Sequence, residues 1–395
     1  MTATTPTFEF DPYATDVIAD PFPAYRVLRE EHPVYRSERR DFWALSRAED
    51  VYDAMRAWPA FTSRKGMDLD ETGSMFGPGN LLNMDPPTHD QLRKVVRGSF
   101  SARRIGMLEP AVRARVAELL ERFAGRETVD VAAELAAPLP LWMISELLGI
   151  PPADREQMGA RIHTLLHRAP GDPEIPQAAH EAHAELRPYF AALMSERRRQ
   201  PREDALSEMV AATIEGVPLS DEVILGLCLT LFAAGSETVS NFLSNSLLVL
   251  AEHPDARAAL FAEPAGIPTA IEELLRYESP VQNIVRTTTE PTVLHGVELP
   301  ADSRMLLLLG SANRDERRVE HADRLDLRRE PRRHLAFGEG VHFCLGAPLA
   351  RLQSRVVLEE LARRAPRYAV AGPVRRVGKV NSRGLESLPI ALGGA

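Results

Sequence analysis

The segment Phe337-Gly-Glu-Gly-Val-His-Phe-Cys344-Leu-Gly346 sets one cysteine among glycines, just ahead of a stretch patterned as a helix from Gly346 to Ala365. Gly338 and Gly340 permit backbone angles closed to other residues, and Pro348 suits the first turn of a helix that starts just after Cys344. The sulfur then falls at a helix N-terminus, where amide N–H groups and the positive end of the helix dipole favour a thiolate and tune its donation to a metal. A cysteine that only fills a core needs none of this. Cys228, in the apolar run Val223 to Leu231 with no glycine loop around it, reads as such a core residue. Zinc is disfavoured at Cys344 because no second cysteine or CxxC spacing accompanies it, and a disulfide would have to recruit Cys228 from a helix. Two cysteines in 395 residues point to a reducing compartment.

Ala234-Gly235-Ser236-Glu237-Thr238 is the second place where residue types suggest chemistry. It lies in the middle of a long apolar helix expected from Ser220 to Glu252, with Ser220 and Asp221 as start signals and Pro254 just beyond the end. Some thirty residues at 1.5 Å each make roughly 45 Å, enough to cross the molecule. Glycine weakens the hydrogen-bond ladder and a threonine hydroxyl can bond a carbonyl one turn back, so the helix can open there and hold water. The rival reading is a glycine for close helix packing and a threonine that satisfies itself, and the residues alone weigh the two evenly.

Two further sets complete the inventory. Glu273-Leu-Leu-Arg276 places a carboxylate and a guanidinium on one helical face, which in isolation is usually a solvated pair. His89 and Arg93 stand four apart on a helix announced by Pro86 and Pro87, so both can reach one ligand. Arg286 follows in an extended stretch after Ser279, and His342 sits in the cysteine loop. With 47 Lys and Arg residues in the chain, any one of these cations is on its own an ordinary surface charge.

Taken together, Phe337-Gly338-x-Gly340-x-His342-x-Cys344-Leu345-Gly346 resembles the haem-binding signature of the cytochrome P450 monooxygenases, in the form used by soluble bacterial members. The resemblance implies a mainly α fold with a small β portion, in which haem b (iron protoporphyrin IX) lies between the central long helix and the cysteine-loop helix. It implies Cys344 as the iron ligand, with Phe337 and Gly338 in the loop against the haem, and Glu237 and Thr238 as the acid–alcohol pair that delivers protons. It implies His89, Arg93, Arg286 and His342 at the haem propionates. Glu273 and Arg276 become a buried structural ion pair, completed by an arginine somewhere in Ala322 to Arg329, where Leu325 replaces the usual phenylalanine. By the same resemblance the pocket roof comes from Arg64 to Asn83 and from around Leu165 to Pro176, two segments expected to move as a lid. Met75, Phe76, Leu165, Leu231, Ala234, Asn283, Ile284 and Leu385 are the expected pocket lining.

Length alone suggests two or three domains, yet motifs spread from His89 to Cys344 must converge on one cofactor, so residues 1–395 are read as one domain. Helical patterning is clearest at Glu109 to Phe123, Glu181 to Arg199, the central helix and Gly346 to Ala365; Thr292 to Leu299 and Arg304 to Leu309 read as strands. The first eleven residues show neither a leader nor an anchor, which predicts a cytoplasmic protein without a membrane segment. A net charge of −9 argues against nucleic acid. The expected partners are O2, a small apolar organic substrate and a ferredoxin-type electron donor with its reductase, the chain itself being a monomer. Arg97, Arg103, Arg104, Arg113, Arg351 and Arg355 are the candidate docking surface for that acidic donor. A haem-thiolate sensor and a peroxide-driven enzyme are the alternatives; the intact Glu237–Thr238 pair speaks against the sensor.

Overall fold

A computed structural model describes residues 8–330 and 333–393; residues 1–7, most of the stretch read for a leader, lie outside it. The central helix spans Asp221–Glu252, and the Ser220 side chain caps it by accepting from the Val223 amide, as the sequence predicts. Its buried positions run round the whole circumference from Ile224 to Leu250. The helix is long and apolar enough for a membrane span, but here that apolarity belongs to a core element sheathed by other helices. Gly235 serves close packing: a Cβ there would stand 2.7 Å from the Ile144 side chain. Farther toward its N-terminus, backbone lies on backbone, since a Cβ on Gly79 would come within 1.9 Å of the Val223 carbonyl oxygen.

The cysteine helix, Ala347–Arg364, begins with Pro348 in its first turn and buries Leu349, Leu352, Val356, Val357 and Leu361. It packs on the helix Glu109–Glu121 through a lattice of ion pairs. Arg113 reaches Glu109, Glu359 and Glu360, and Arg355 reaches Glu109 and Glu359. This changes the reading of the docking surface: Arg104, paired with Glu208, and Arg113, Arg351 and Arg355 are neutralised inside the fold. Of the six candidates only Arg97 and Arg103 stand exposed with no carboxylate partner among the described residues.

A five-stranded sheet completes the scaffold: β1 Val34–Ser37, β2 Phe42–Leu45, β3 Phe61–Thr62, β4 Ile284–Thr288 and β5 Arg304–Leu307, in the order β1-β2-β5-β4-β3. Only the β2–β5 pair is parallel. β4 carries Arg286 into the interior. The expected strand from Thr292 to Leu299 is instead a hairpin, Thr292–Leu294 with Val297–Leu299, turned at His295 and Gly296. Both turn residues have positive φ, as a tight hairpin turn matched to strand twist requires. The strand predicted to Leu309 ends at Leu307, where a short helix, Leu309–Ala312, begins.

Glu273 and Arg276 lie on the helix Ile267–Tyr277, 3 % and 4 % exposed. All five guanidinium N–H groups are used: Nε and Nη2 donate to the Glu273 carboxylate at 2.7 and 2.8 Å, Nη1 to the Asn313 and Ala322 carbonyls, and Nη2 also to Arg324 O. Arg329 is the third member, its Nε 3.2 Å from Glu273 Oε1. Glu273→Gln leaves Arg276 buried without its counter-ion and is expected to cost about 3–5 kcal/mol in denaturant unfolding; a loss below about 1 kcal/mol contradicts that role.

The next residue, Glu272, faces the other way, into the fork of Arg351 at 2.7 Å on each oxygen and His334 Nε2 at 3.1 Å. Burial alone would raise this carboxyl, but those two partners overcome it and hold it down at about 2. Since the folded value lies below the unfolded one, the stabilisation is complete above about pH 4.3 and disappears as the pH falls toward 2. Glu272→Gln should lower the melting temperature at pH 7, and its deficit against wild type should close between pH 4.5 and 2 in a pH series of melting curves.

Candidate active site

The cysteine loop is closed by the Cys344 amide donating to Phe337 O at 2.8 Å. Gly338 and Gly340 take φ of 68° and 71°, and a Cβ on Gly340 would press to 2.9 Å from the Met55 carbonyl oxygen, so the second glycine is required by conformation and by space. The loop hangs from the ion-pair network through Asn313, whose Oδ1 accepts from the Leu335 amide. Burial pushes the Cys344 thiol up; the amides of Gly346 and Ala347 and the charges of Arg93 and Arg351 oppose it. The helix N-terminus therefore aims at the sulfur as expected but does not by itself outweigh burial. Thiolate forms when a metal takes it. Cys228 is fully enclosed and inert, its thiol pushed up by burial.

The two arginines and two histidines expected at one ligand converge beside this loop. His89 and Arg93 lie on the helix Thr88–Arg97, and Arg93 donates to the Phe343 carbonyl next to the cysteine. The rings of His89 and His342 are 4.4 Å apart, and His342 Nε2 lies 3.1 Å from Ser63 Oγ. Burial, then the charges of Arg286, His89 and Arg93, push His342 down to about 2. Arg286 is 4 % exposed and donates only to its neighbour's carbonyl, Val285 O; burial pulls it down to about 10 against the charge of Asp85.

Two observations here ask for an anion. Arg286 has no carboxylate in ion-pair range among the described residues, and His89 Nε2 is buried without a hydrogen-bond partner. The paired carboxylates of a haem b supply what both lack. Nor do three or more His, Cys, Asp or Glu residues converge as a metal site among the described residues, so a metal at Cys344 must bring its other ligands with it, as a porphyrin does. The residues present fit the group.

On the central helix, Ala234 is exposed and Thr238 half-buried amid enclosed neighbours. The helix does not open here: Thr238 Oγ1 donates to Ala234 O at 2.8 Å, one turn back. With its one proton committed, the hydroxyl offers only acceptor lone pairs outward. Glu237 is held by Lys379, Nζ to Oε2 3.0 Å, a partner that the sequence reading missed. From Lys379 the chain runs beside the central helix: Asn283 Nδ2 donates to Val380 O and Asn245 Nδ2 to Arg383 O. Glu237 is thus tied, through Val380 and Asn283, to the strand that carries Arg286.

A cavity of about 430 Å3 opens against Ser236, Glu237, Ser240 and Asn241, walled by Leu141, Ile162, Leu166 and Leu385. Of the expected lining only Leu385 borders it. Leu165 is sealed in the main core, while its neighbour Leu166 borders the cavity. Asn283 is buried and committed to Val380 O. Phe76, Leu231 and Ile284 are core residues, while Met75 is half-buried. The two roof segments, expected to move, are fastened together. Arg168, 3 % exposed, donates to Asp70 Oδ2 at 3.0 Å and to Thr72 Oγ1 at 2.5 Å.

Comparison with known proteins agrees with this geometry. The sequence profile "Cytochrome P450" matches residues 162–266 and 267–364. "Putative cytochrome P450 123" of Mycobacterium tuberculosis is 39% identical over 392 residues, 98% of each chain. "Cytochrome P450 monooxygenase PikC" of Streptomyces venezuelae is 38% identical over 402 residues, covering 98% of this chain and 95% of its own. Among solved structures, the Bacillus subtilis bacillaene polyketide synthase cytochrome P450 PksS superposes with a TM-score of 0.90 at 32% identity, over 98% of this chain and all of its own. With a family profile over half of its length and relatives 38% and 39% identical over nearly all of it, the chain belongs to the cytochrome P450 family as a haem b-dependent monooxygenase of the bacterial type.

Proposed function

We propose that this chain works as one unit that inserts one oxygen atom of O2 into a largely apolar small molecule, as hydroxylation or epoxidation, in secondary or xenobiotic metabolism. The observation that carries the reading is the Glu237–Thr238 pair, an acid and an alcohol side by side in the middle of a long, mostly apolar helix, one turn from the exposed Ala234. A protein that merely sensed a gas would need no such pair. When bound, haem b supplies the activation of O2 with two electrons and two protons, one oxygen atom leaving as water. Cys344 Sγ holds the iron; Arg286, Arg93, His89 and His342 hold the propionates, which removes the unpaired charge at Arg286. Thr238 Oγ1 accepts a hydrogen bond from water or a protonated group beside the exposed Ala234, and Glu237 passes protons to that group from the cavity side. Phe337 and Gly338 shape the loop face that would meet the cofactor.

The electrons come from an acidic ferredoxin-type donor with its own reductase, docking where Lys94, Arg97 and Arg103 remain exposed, in the cytoplasm. The relatives support a tailoring role: one is named a monooxygenase and another comes from a polyketide synthase system. The test is turnover with reduced ferredoxin and O2 set against turnover with peroxide. Glu237→Gln and Thr238→Ala should each lower donor-driven product formation on the order of 10²-fold while electron consumption continues as peroxide release. Equal product from both variants and wild type, or turnover with peroxide only, contradicts the reading.

The roof fastening has its own consequence for substrate entry. Arg168→Ala frees Asp70 and Thr72, so stopped-flow substrate binding should show faster association and dissociation, dissociation the more accelerated. Unchanged rates would mean that the roof opens elsewhere.

A further inference from the structure

Lysine occurs at three positions only, 65, 94 and 379, among 47 Lys and Arg residues. Lys65 and Lys94 are exposed, whereas the Lys379 side chain is 9% exposed and its partner is Glu237. Every other enclosed cation of this kind is an arginine, including Arg168, Arg276, Arg286 and Arg383. The difference matters chemically: a guanidinium keeps its proton at any pH a protein meets, while an ammonium can give one up and take it back. An arginine would have served to hold Glu237 in place.

The pair also stands on the wall of the 430 Å3 cavity, which is lined as well by His163 and His167, whose rings lie 5.9 Å apart, and by Arg168, Arg375 and Glu386. Asp68, buried in the roof segment with one oxygen unpartnered, also feels the Lys379 charge. Lys379 thus touches the acid of the helix, and both border a space that can hold water.

We propose that Lys379 is the proton donor that recharges Glu237. As Glu237 hands its proton toward Thr238, an N–H of the Lys379 ammonium gives its proton to the carboxylate, and the amine so formed takes one from water or a protonated imidazole in the cavity. One proton enters for each that leaves, only N–H and O–H bonds change, and no electron moves. Lys379 acts through Glu237, so the inference rests on the relay reading given above.

The experiment compares Lys379→Arg, Lys379→Gln and Glu237→Gln in the haem-loaded protein. Lys379→Arg keeps the cation and the contact but cannot release the proton. It is expected to keep wild-type melting temperature and substrate affinity, to lose roughly 10-fold in product per electron, and to show an enlarged solvent deuterium isotope effect. Combined with Glu237→Gln it should be no worse than Glu237→Gln alone. A second readout needs no turnover: after reductive methylation with labelled formaldehyde, the few lysine methyl signals are resolved by carbon NMR, and that of Lys379 should shift with Glu237→Gln. Wild-type coupling and isotope effect in Lys379→Arg, or a Lys379 signal indifferent to Glu237, overturns the proposal and leaves the relay reading intact. Wild-type coupling in Glu237→Gln overturns the relay reading beneath it.

Discussion

Five hydrogen bonds from one guanidinium hold this fold's working end together. Arg276 spends two on Glu273, and the other three on the carbonyls of Asn313, Ala322 and Arg324. Asn313 in turn fixes Leu335, and two residues later Phe337 O receives the Cys344 amide. A buried ion pair is a poor way to gain stability, because desolvation consumes most of the Coulomb attraction. What it does here is fix one arrangement: carbonyls that could point elsewhere must point at a single group, and the cysteine loop inherits that rigidity. Glu272 on the same helix, through Arg351, ties the start of the cysteine helix to the bracket.

Against that rigid loop stands a cluster that is incomplete by itself. Arg286 is enclosed without a counter-ion, His342 is held far below its ordinary range, and His89 carries an unmatched ring nitrogen. Left alone, such an arrangement opposes folding, and a dianionic cofactor reverses the sign by supplying hydrogen-bond acceptors and charge at once. Cofactor binding and folding are thus coupled in this chain, as in other sites where the ligand completes the interior.

Features written in local signals were legible in the sequence. The ends of the central helix follow from Ser220 and Pro254, the cysteine loop from Gly338 and Gly340, and the start of its helix from Pro348, because caps and positive-φ turns act within a few residues. The Glu273–Arg276 pair was visible as spacing, but its third member was not; Arg329 is chosen from several nearby arginines by where the loop returns. What escaped is what sequence distance hides. Lys379 meets Glu237 from 142 positions away and Arg168 meets Asp70 from 98. Likewise the arginines read as a docking face looked free only because Glu109, Glu272, Glu359 and Glu360 arrive through tertiary packing. Gly235 shows the converse: of two readings that the sequence left level, close packing against Ile144 won for the glycine. The hairpin at Thr292 to Leu299 was misread because alternation was followed through His295 and Gly296, a turn written in a single glycine.

The account stands or falls on the sulfur of Cys344. Its most direct test is the absorption spectrum of the dithionite-reduced protein under carbon monoxide, for wild type and for Cys344→Ser, since thiolate ligation moves the Soret band far to the red of a histidine-ligated haem. The account predicts a red-shifted band in wild type that is lost in Cys344→Ser. A protein that takes up no haem, or a band unmoved by the substitution, contradicts it.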